Sequence, residues 1–135
     1  MFSRGSLGAS LLLTAILSLV VPAHAVELNG MWASDPALCD KIFTRKGKQT
    51  TFAPLSDLYG SGFIIDGNRI RGKVARCTIK SRKQDGDTLL LAATCSTTIA
   101  AEELQFSLKT VDDNTVSRLY PGSAAMRVDF HRCPP

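Results

Sequence analysis

Cys77 and Cys95 stand nine residues to either side of Gly86, in a run where apolar and polar residues alternate up to the turn Gln84-Asp85-Gly86-Asp87 and away from it again. A period of two marks a strand whose side chains point to opposite faces, and a Gly-containing turn between two such runs marks a hairpin. With the loop centred on Gly86, the two cysteines face each other across the hairpin and are predicted to form a disulfide. Four cysteines allow three pairings, and fixing this one leaves Cys39 with Cys133. The fold must therefore bring the segment around residue 39 beside the segment around residue 133. A four-thiolate metal site is the rival reading, but its ligands normally come as close C-x2-C pairs, whereas the spacings here are 38, 18 and 38.

The same alternation dominates the rest of the chain from residue 59 onward. Phe63-Ile64-Ile65 runs through Asp66-Gly67-Asn68 into Arg69 to Val74, with Ile70, Gly72 and Val74 on one face and Arg69, Arg71 and Lys73 on the other. The apolar set then changes parity to Cys77 and Ile79, which predicts a bulge near Ala75 and Arg76. Leu89, Leu91, Ala93 and Cys95 form a core-facing row, as do Leu104, Phe106 and Leu108, and then Met126, Val128 and Phe130. Turns are expected at Asp112-Asp113-Asn114 and at Pro121-Gly122-Ser123. Near the front, Leu28, Gly30 and Trp32 share one face of a first strand. Ser34-Asp35-Pro36 signals one or two helical turns through Cys39, and a hairpin around Gly47 follows. About eight strands in local hairpins, with no helix long enough to cover a sheet face, avoid exposed edges by closing on themselves. The expected fold is all-β: a small antiparallel up-and-down barrel with a short N-terminal helical turn, stapled by two disulfides.

Residues 1–25 read as a targeting segment, with Arg4 as the positive start, an apolar run from Leu7 to Val21 and a small-x-small site at Ala23-His24-Ala25. The run is shorter than the ~20 residues of a spanning helix, so a periplasmic or secreted protein without a stable membrane anchor is expected. That leaves 26–135 as a single domain. Export to an oxidising compartment agrees with an even cysteine count. With Arg4 removed, 15 of the 16 Lys and Arg remain against 12 Asp and Glu. This mild excess falls short of the dense basic patch of a nucleic-acid binder. His131 is the one histidine beyond the leader, which leaves little room for His-based metal sites or Cys/His nucleophiles. Neither an enzyme nor a cofactor is expected, and the chain is expected to be a monomer.

Three sets of side chains remain as candidates. The first is a basic face, Arg69, Arg71, Lys73, Arg76 and Lys80, continued by Arg82 and Lys83 and joined by Lys41, Arg45, Lys46 and Lys48. It reads first as the solvated outside of a strand, where charges prevent edge pairing, and alternatively as a seat for an anionic partner. The second is the barrel mouth, where Trp32, Tyr59, Phe63 and Tyr120 either fill a narrow interior or line a ligand cavity. The third is Arg118, which alternation turns inward with Val116 and Tyr120: it either caps the first-strand Trp or lies at an exposed strand end. Asp129 and His131 share an outward face, with no third member of a catalytic set.

Leu28-x-Gly30-x-Trp32, followed by Cys39-Asp40, resembles the G-x-W start of the calycin superfamily, which includes lipocalins, avidins and the bacterial metalloprotease inhibitors of the Inh type. Of these, the Inh pattern is the one most nearly followed, in an exported chain of this length class with L-x-G-x-W and then Cys-Asp. The chain differs by carrying two expected disulfides rather than one. It also looks like the small exported proteins common in proteobacteria. The resemblance implies a barrel that binds rather than reacts. The expected function is recognition of a protein or of a small apolar or anionic ligand, with inhibition of a protease or lysozyme, or a structural envelope role, as alternatives.

Overall fold

The computed structural model describes residues 17–19, 27–120, 122 and 126–135. The leader expected over 1–25 thus lies outside the described residues except for 17–19, and the turn at Pro121-Gly122-Ser123 except for Gly122. The described residues form ten strands: β1 Gly30–Ala33, β2 Phe43–Lys46, β3 Gln49–Phe52, β4 Gly62–Asp66, β5 Arg69–Arg71, β6 Arg76–Asp85, β7 Thr88–Ser96, β8 Ala101–Asp112, β9 Thr115–Leu119 and β10 Arg127–Arg132. Eight of them close an antiparallel barrel in the order β1-β4-β5-β6-β7-β8-β9-β10, while β2 and β3 form a separate hairpin. The predicted up-and-down architecture is found, with one excursion between β1 and β4.

That excursion begins where Asp35 caps a 3-10 turn, Pro36–Leu38, by accepting from the Ala37 N–H at 2.9 Å. Proline at the first turn position lacks the N–H that a helix start leaves unpaired anyway. The turn runs into α1, Cys39–Ile42. The β2–β3 hairpin then folds back against the outside of the barrel. Ile42 and Phe43 bury there with Ala33, Ile64 and Cys133, and Met31, Leu38 and Phe52 pack around them. The inner core holds Trp32, Ile65, Ile70, Ile79, Leu91, Leu108, Val116 and Phe130. β1 and β4 are therefore covered on both faces, which explains why Ile64 and Ile65 are adjacent and both buried.

Both predicted disulfides are present: Cys39–Cys133, with Cα atoms 5.8 Å apart, and Cys77–Cys95, at 4.0 Å. The route to the second differs from the expected one. Asp85 pairs with Thr88, so the turn is the two residues Gly86-Asp87, with Gly86 at φ +59°. From that turn, regular pairing would set Cys77 opposite Ser96. An extra residue, Lys80, sits between the Ile79 and Ser81 pairings, shifts the register by one and brings Cys77 to Cys95.

A correction concerns the strand expected over Arg69 to Val74. It ends at Arg71, and Arg71 pairs with Arg76 across a loop formed by Gly72, Lys73, Val74 and Ala75. The parity change near Ala75 is thus a reversal of the chain rather than a bulge. Val74, expected to face the core, is exposed.

The meander gives the barrel two unlike ends. At one end the connections are the two-residue turns Gly67-Asn68, Gly86-Asp87 and Asp113-Asn114, together with the start of β1. At the other lie the β3–β4 loop, the 72–75 loop, the Thr97 to Ala100 loop and the approach to β10. The first end is the floor and the second the mouth.

Candidate functional site

The floor is shut by the segment that carries the G-x-W motif. Leu28 is buried, and its carbonyl accepts from Trp32 Nε1 at 2.9 Å. Trp32 has no exposed surface. The Arg132 guanidinium lies 4.4 Å from the Trp32 ring centroid, in cation–π geometry. Its Nη1 donates to the Asn29 carbonyl at 2.8 Å, and its Nη2 donates to the Glu27 carbonyl. Gly30 makes this packing feasible: its φ is +131°, and a Cβ built there would stand 3.3 Å from Arg132 Nη1. The arginine over the first-strand Trp is therefore Arg132, not Arg118. Alternation puts Arg132 on the inward face with Phe130, but that it covers Trp32 follows only from the β1–β10 pairing, which no local pattern shows.

Above Trp32 the barrel interior opens toward the mouth in a cavity of about 260 Å3. Phe63 stacks on Trp32 with ring centroids 6.3 Å apart and meets Phe130 edge-on at 4.9 Å, so these rings form the base of the cavity. Ile65, Ile70, Leu104, Phe106 and the Cys77–Cys95 disulfide line the walls. Arg118 lies at the rim, half-buried, with its guanidinium 4.8 Å from the Phe106 centroid and 4.7 Å from that of Tyr120. Two rings hold the cation by cation–π contact, while no carboxylate among the described residues lies within ion-pair distance of it. Phe63, Arg118 and Tyr120 are thus brought together as lining. Trp32 lies below the cavity rather than in its wall. Tyr59 stands exposed in the β3–β4 loop, away from the lining. Leu104, Phe106 and the disulfide were assigned to the core by alternation, which fixes the face of a residue but not its depth.

The basic residues do not form one stripe. Arg71 faces Arg76 across the β5–β6 pair, and its Nη2 donates to the Thr50 carbonyl of the outer hairpin at 2.9 Å. Like charges directly opposed in a sheet repel, and the carbonyl contact turns Arg71 toward β3. Lys73 is not on the strand face; it sits in the 72–75 loop and bonds Asp57 of the β3–β4 loop. The Lys73 hydrogen bond, with a smaller contribution from the backbone, holds the Asp57 carboxyl below the usual carboxylate range. Arg69, Arg76 and Lys80 are exposed on the outside of β5 and β6.

Asp129 and His131 are each engaged across the β9–β10 pair: Asp129 accepts from the Ser117 hydroxyl, and His131 Nδ1 meets Thr115 Oγ1 at 3.4 Å. Among the described residues no three His, Cys, Asp or Glu side chains cluster as metal ligands would. Comparison with protein-family models, curated proteins and solved structures returns no match. Function has to be read from the barrel's own chemistry.

Proposed function

We propose that this chain is an exported, non-enzymatic binding barrel that seats a small ligand with an apolar body and an anionic head. The observation that carries this reading is Arg118: a cation held by two rings at the rim of an otherwise apolar cavity, without a carboxylate partner among the described residues. A ligand's apolar part gains by leaving water against Phe63 and Phe106. Its head gains a charge-assisted contact with a guanidinium already held at the rim. The volume sets the size of the guest. At about 260 Å3 the cavity is smaller than the ~300–1,000 Å3 of typical small-molecule sites, so a short acyl chain or a single ring system fits, with its head left at the rim.

The test compares two naphthalene probes of similar apolar bulk, anionic 8-anilino-1-naphthalenesulfonate and neutral N-phenyl-1-naphthylamine, by fluorescence titration of native protein and Arg118→Gln. A charge-assisted hydrogen bond contributes ~1.5–3 kcal/mol, so the variant is expected to lose about tenfold or more in affinity for the anionic probe. Its affinity for the neutral probe should stay near the native value. Equal losses for both probes, or no binding of either by the native chain, would remove this reading.

A further inference from the structure

From residue 27 onward, the large apolar side chains that stand exposed are not scattered. Leu55, Leu58 and Tyr59 project from the β3–β4 loop, Val74 from the 72–75 loop, Ile99 from the 97–100 loop, and Met126 from the approach to β10. All six are at the mouth; the other two, Leu90 and Val111, lie on strands. Ile99 is 93% exposed and Val74 78%, so neither tip packs against the barrel that carries it. The floor turns are built from different residues: Asp66-Gly67-Asn68, Asp85-Gly86-Asp87 and Asp112-Asp113-Asn114. Single exposed apolar residues need no explanation, but a ring of them on every loop at one end, around an apolar opening, marks a contact surface.

Charge indicates what that surface meets. Lys73 lies in the 72–75 loop and Arg71 and Arg76 flank it, Arg118 lies at the rim and Arg127 opens β10, while Lys80 is farther down the outside of β6. Carboxylates are also present near the rim: Asp57 is tied to Lys73, Glu103 accepts from Thr94 and Glu102 is exposed. Five aspartates, Asp66, Asp85, Asp87, Asp112 and Asp113, gather in the floor turns, but Arg69, Arg82, Lys83, Lys109 and Arg132 stand at the same end and nearly balance them. At the mouth Arg71, Lys73, Arg76, Arg118 and Arg127 exceed the three carboxylates, so the basic excess lies at the mouth and not at the floor, and the mouth is the end that an anionic surface attracts.

We propose that the mouth of the barrel docks on an anionic lipid surface, with Val74, Ile99 and the β3–β4 loop entering the headgroup layer and the cations behind them facing lipid phosphates. Apolar tips backed by Lys and Arg are the combination that holds a protein at such an interface without spanning it. The docking stands on the loops and not on the cavity, although it would bring the cavity opening against the lipid.

The experiment is co-sedimentation of the chain from residue 26 onward, without the apolar leader, with vesicles of phosphatidylcholine alone and of phosphatidylcholine mixed with phosphatidylglycerol, using native protein and the double variant Val74→Glu, Ile99→Glu. Native protein is expected to bind the mixed vesicles, to bind phosphatidylcholine vesicles more weakly and to lose affinity as salt rises. The variant should lose about tenfold or more, since each tip then fails to bury apolar surface. Neither residue lines the cavity, so an unchanged Trp32 emission and urea midpoint show that the variant is folded whether or not the ligand reading holds. Native protein that ignores the mixed vesicles, a double variant that binds them as well as native, or equal binding to both vesicle types would overturn the proposal. So would a concentration-dependent dimer in analytical ultracentrifugation that the double variant abolishes in the absence of vesicle binding, which would assign the tips to a second copy of this chain.

Discussion

Gly30, Trp32 and Arg132 act as one group at the residue scale. The glycine's positive φ turns β1 so that its ring side chain enters the floor, and the bare Cα leaves room for the guanidinium that covers the ring. A side chain at residue 30 meets two penalties, the strained backbone region and the 3.3 Å approach to Arg132 Nη1. Gly30→Ala is therefore expected to cost about 1–3 kcal/mol. The cost should appear as a lower urea midpoint at unchanged slope, followed by the emission of Trp32, the one tryptophan of the chain. Coincident unfolding curves for native protein and variant would show that the Arg132 contact yields freely. Gly30 and Trp32 are visible in the sequence as G-x-W, but their arginine is not. Its partner is fixed only when β10 meets β1, about a hundred residues away in the chain.

At the scale of elements, the seam between β1 and β10 is the weakest pairing in the barrel. It has only two register pairs, Trp32 with Arg132 and Ala33 with His131, against nine between β6 and β7. The Cys133 N–H adds a bond to the Met31 carbonyl at 2.8 Å, and the Cys39–Cys133 disulfide clamps the same place. Its sequence separation of 94, against 18 for Cys77–Cys95, corresponds in the loop-entropy account to about 4.5 and about 3 kcal/mol of stabilisation. Cys39→Ser with Cys133→Ser should accordingly lower the melting temperature more than Cys77→Ala with Cys95→Ala. Its loss of amide hydrogen-exchange protection should concentrate in β1 and β10. A larger drop for the hairpin pair would place the weak point elsewhere. The pairing of the cysteines was legible because hairpin symmetry gives a good centre for β6 and β7. The Lys80 bulge was not, since one extra residue in a strand leaves no mark when the turn is read one residue off in compensation. The loop at 72–75 was hidden for a related reason: Arg69 to Val74 alternates so regularly that nothing in the pattern distinguishes a strand that continues from one that turns back after Arg71.

For the whole molecule, alternation and turn residues were enough to give the barrel, because an all-antiparallel set of short strands has few ways to avoid open edges. They did not give the division into two ends. Which turns share an end follows from strand order and register together, and only then do Val74, Ile99 and the β3–β4 loop become neighbours of one opening. The outer hairpin was similarly legible as a hairpin but not as a cover for β1 and β4, since its docking depends on Ile64 and Ala33 facing away from the barrel axis. One end buried under Trp32 and Arg132 and the other left open are thus properties of the closed chain, and the ligand and lipid readings both depend on that polarity.

The clamp on the seam also has a consequence in time. Cys77 and Cys95 can meet as soon as one hairpin exists, whereas Cys39 finds Cys133 only after seven further barrel strands have been laid beside β1. Closing a short loop costs less chain entropy than closing a long one. The reduced chain, refolded in a glutathione buffer and quenched at intervals with acid, should therefore pass through a one-disulfide species bonded at Cys77–Cys95, a barrel laid out but still unlocked. Early accumulation of the Cys39–Cys133 species would instead mean that the ends associate before the hairpins do. In a compartment that supplies oxidant only after the chain arrives, the last bond formed then records that the barrel has shut.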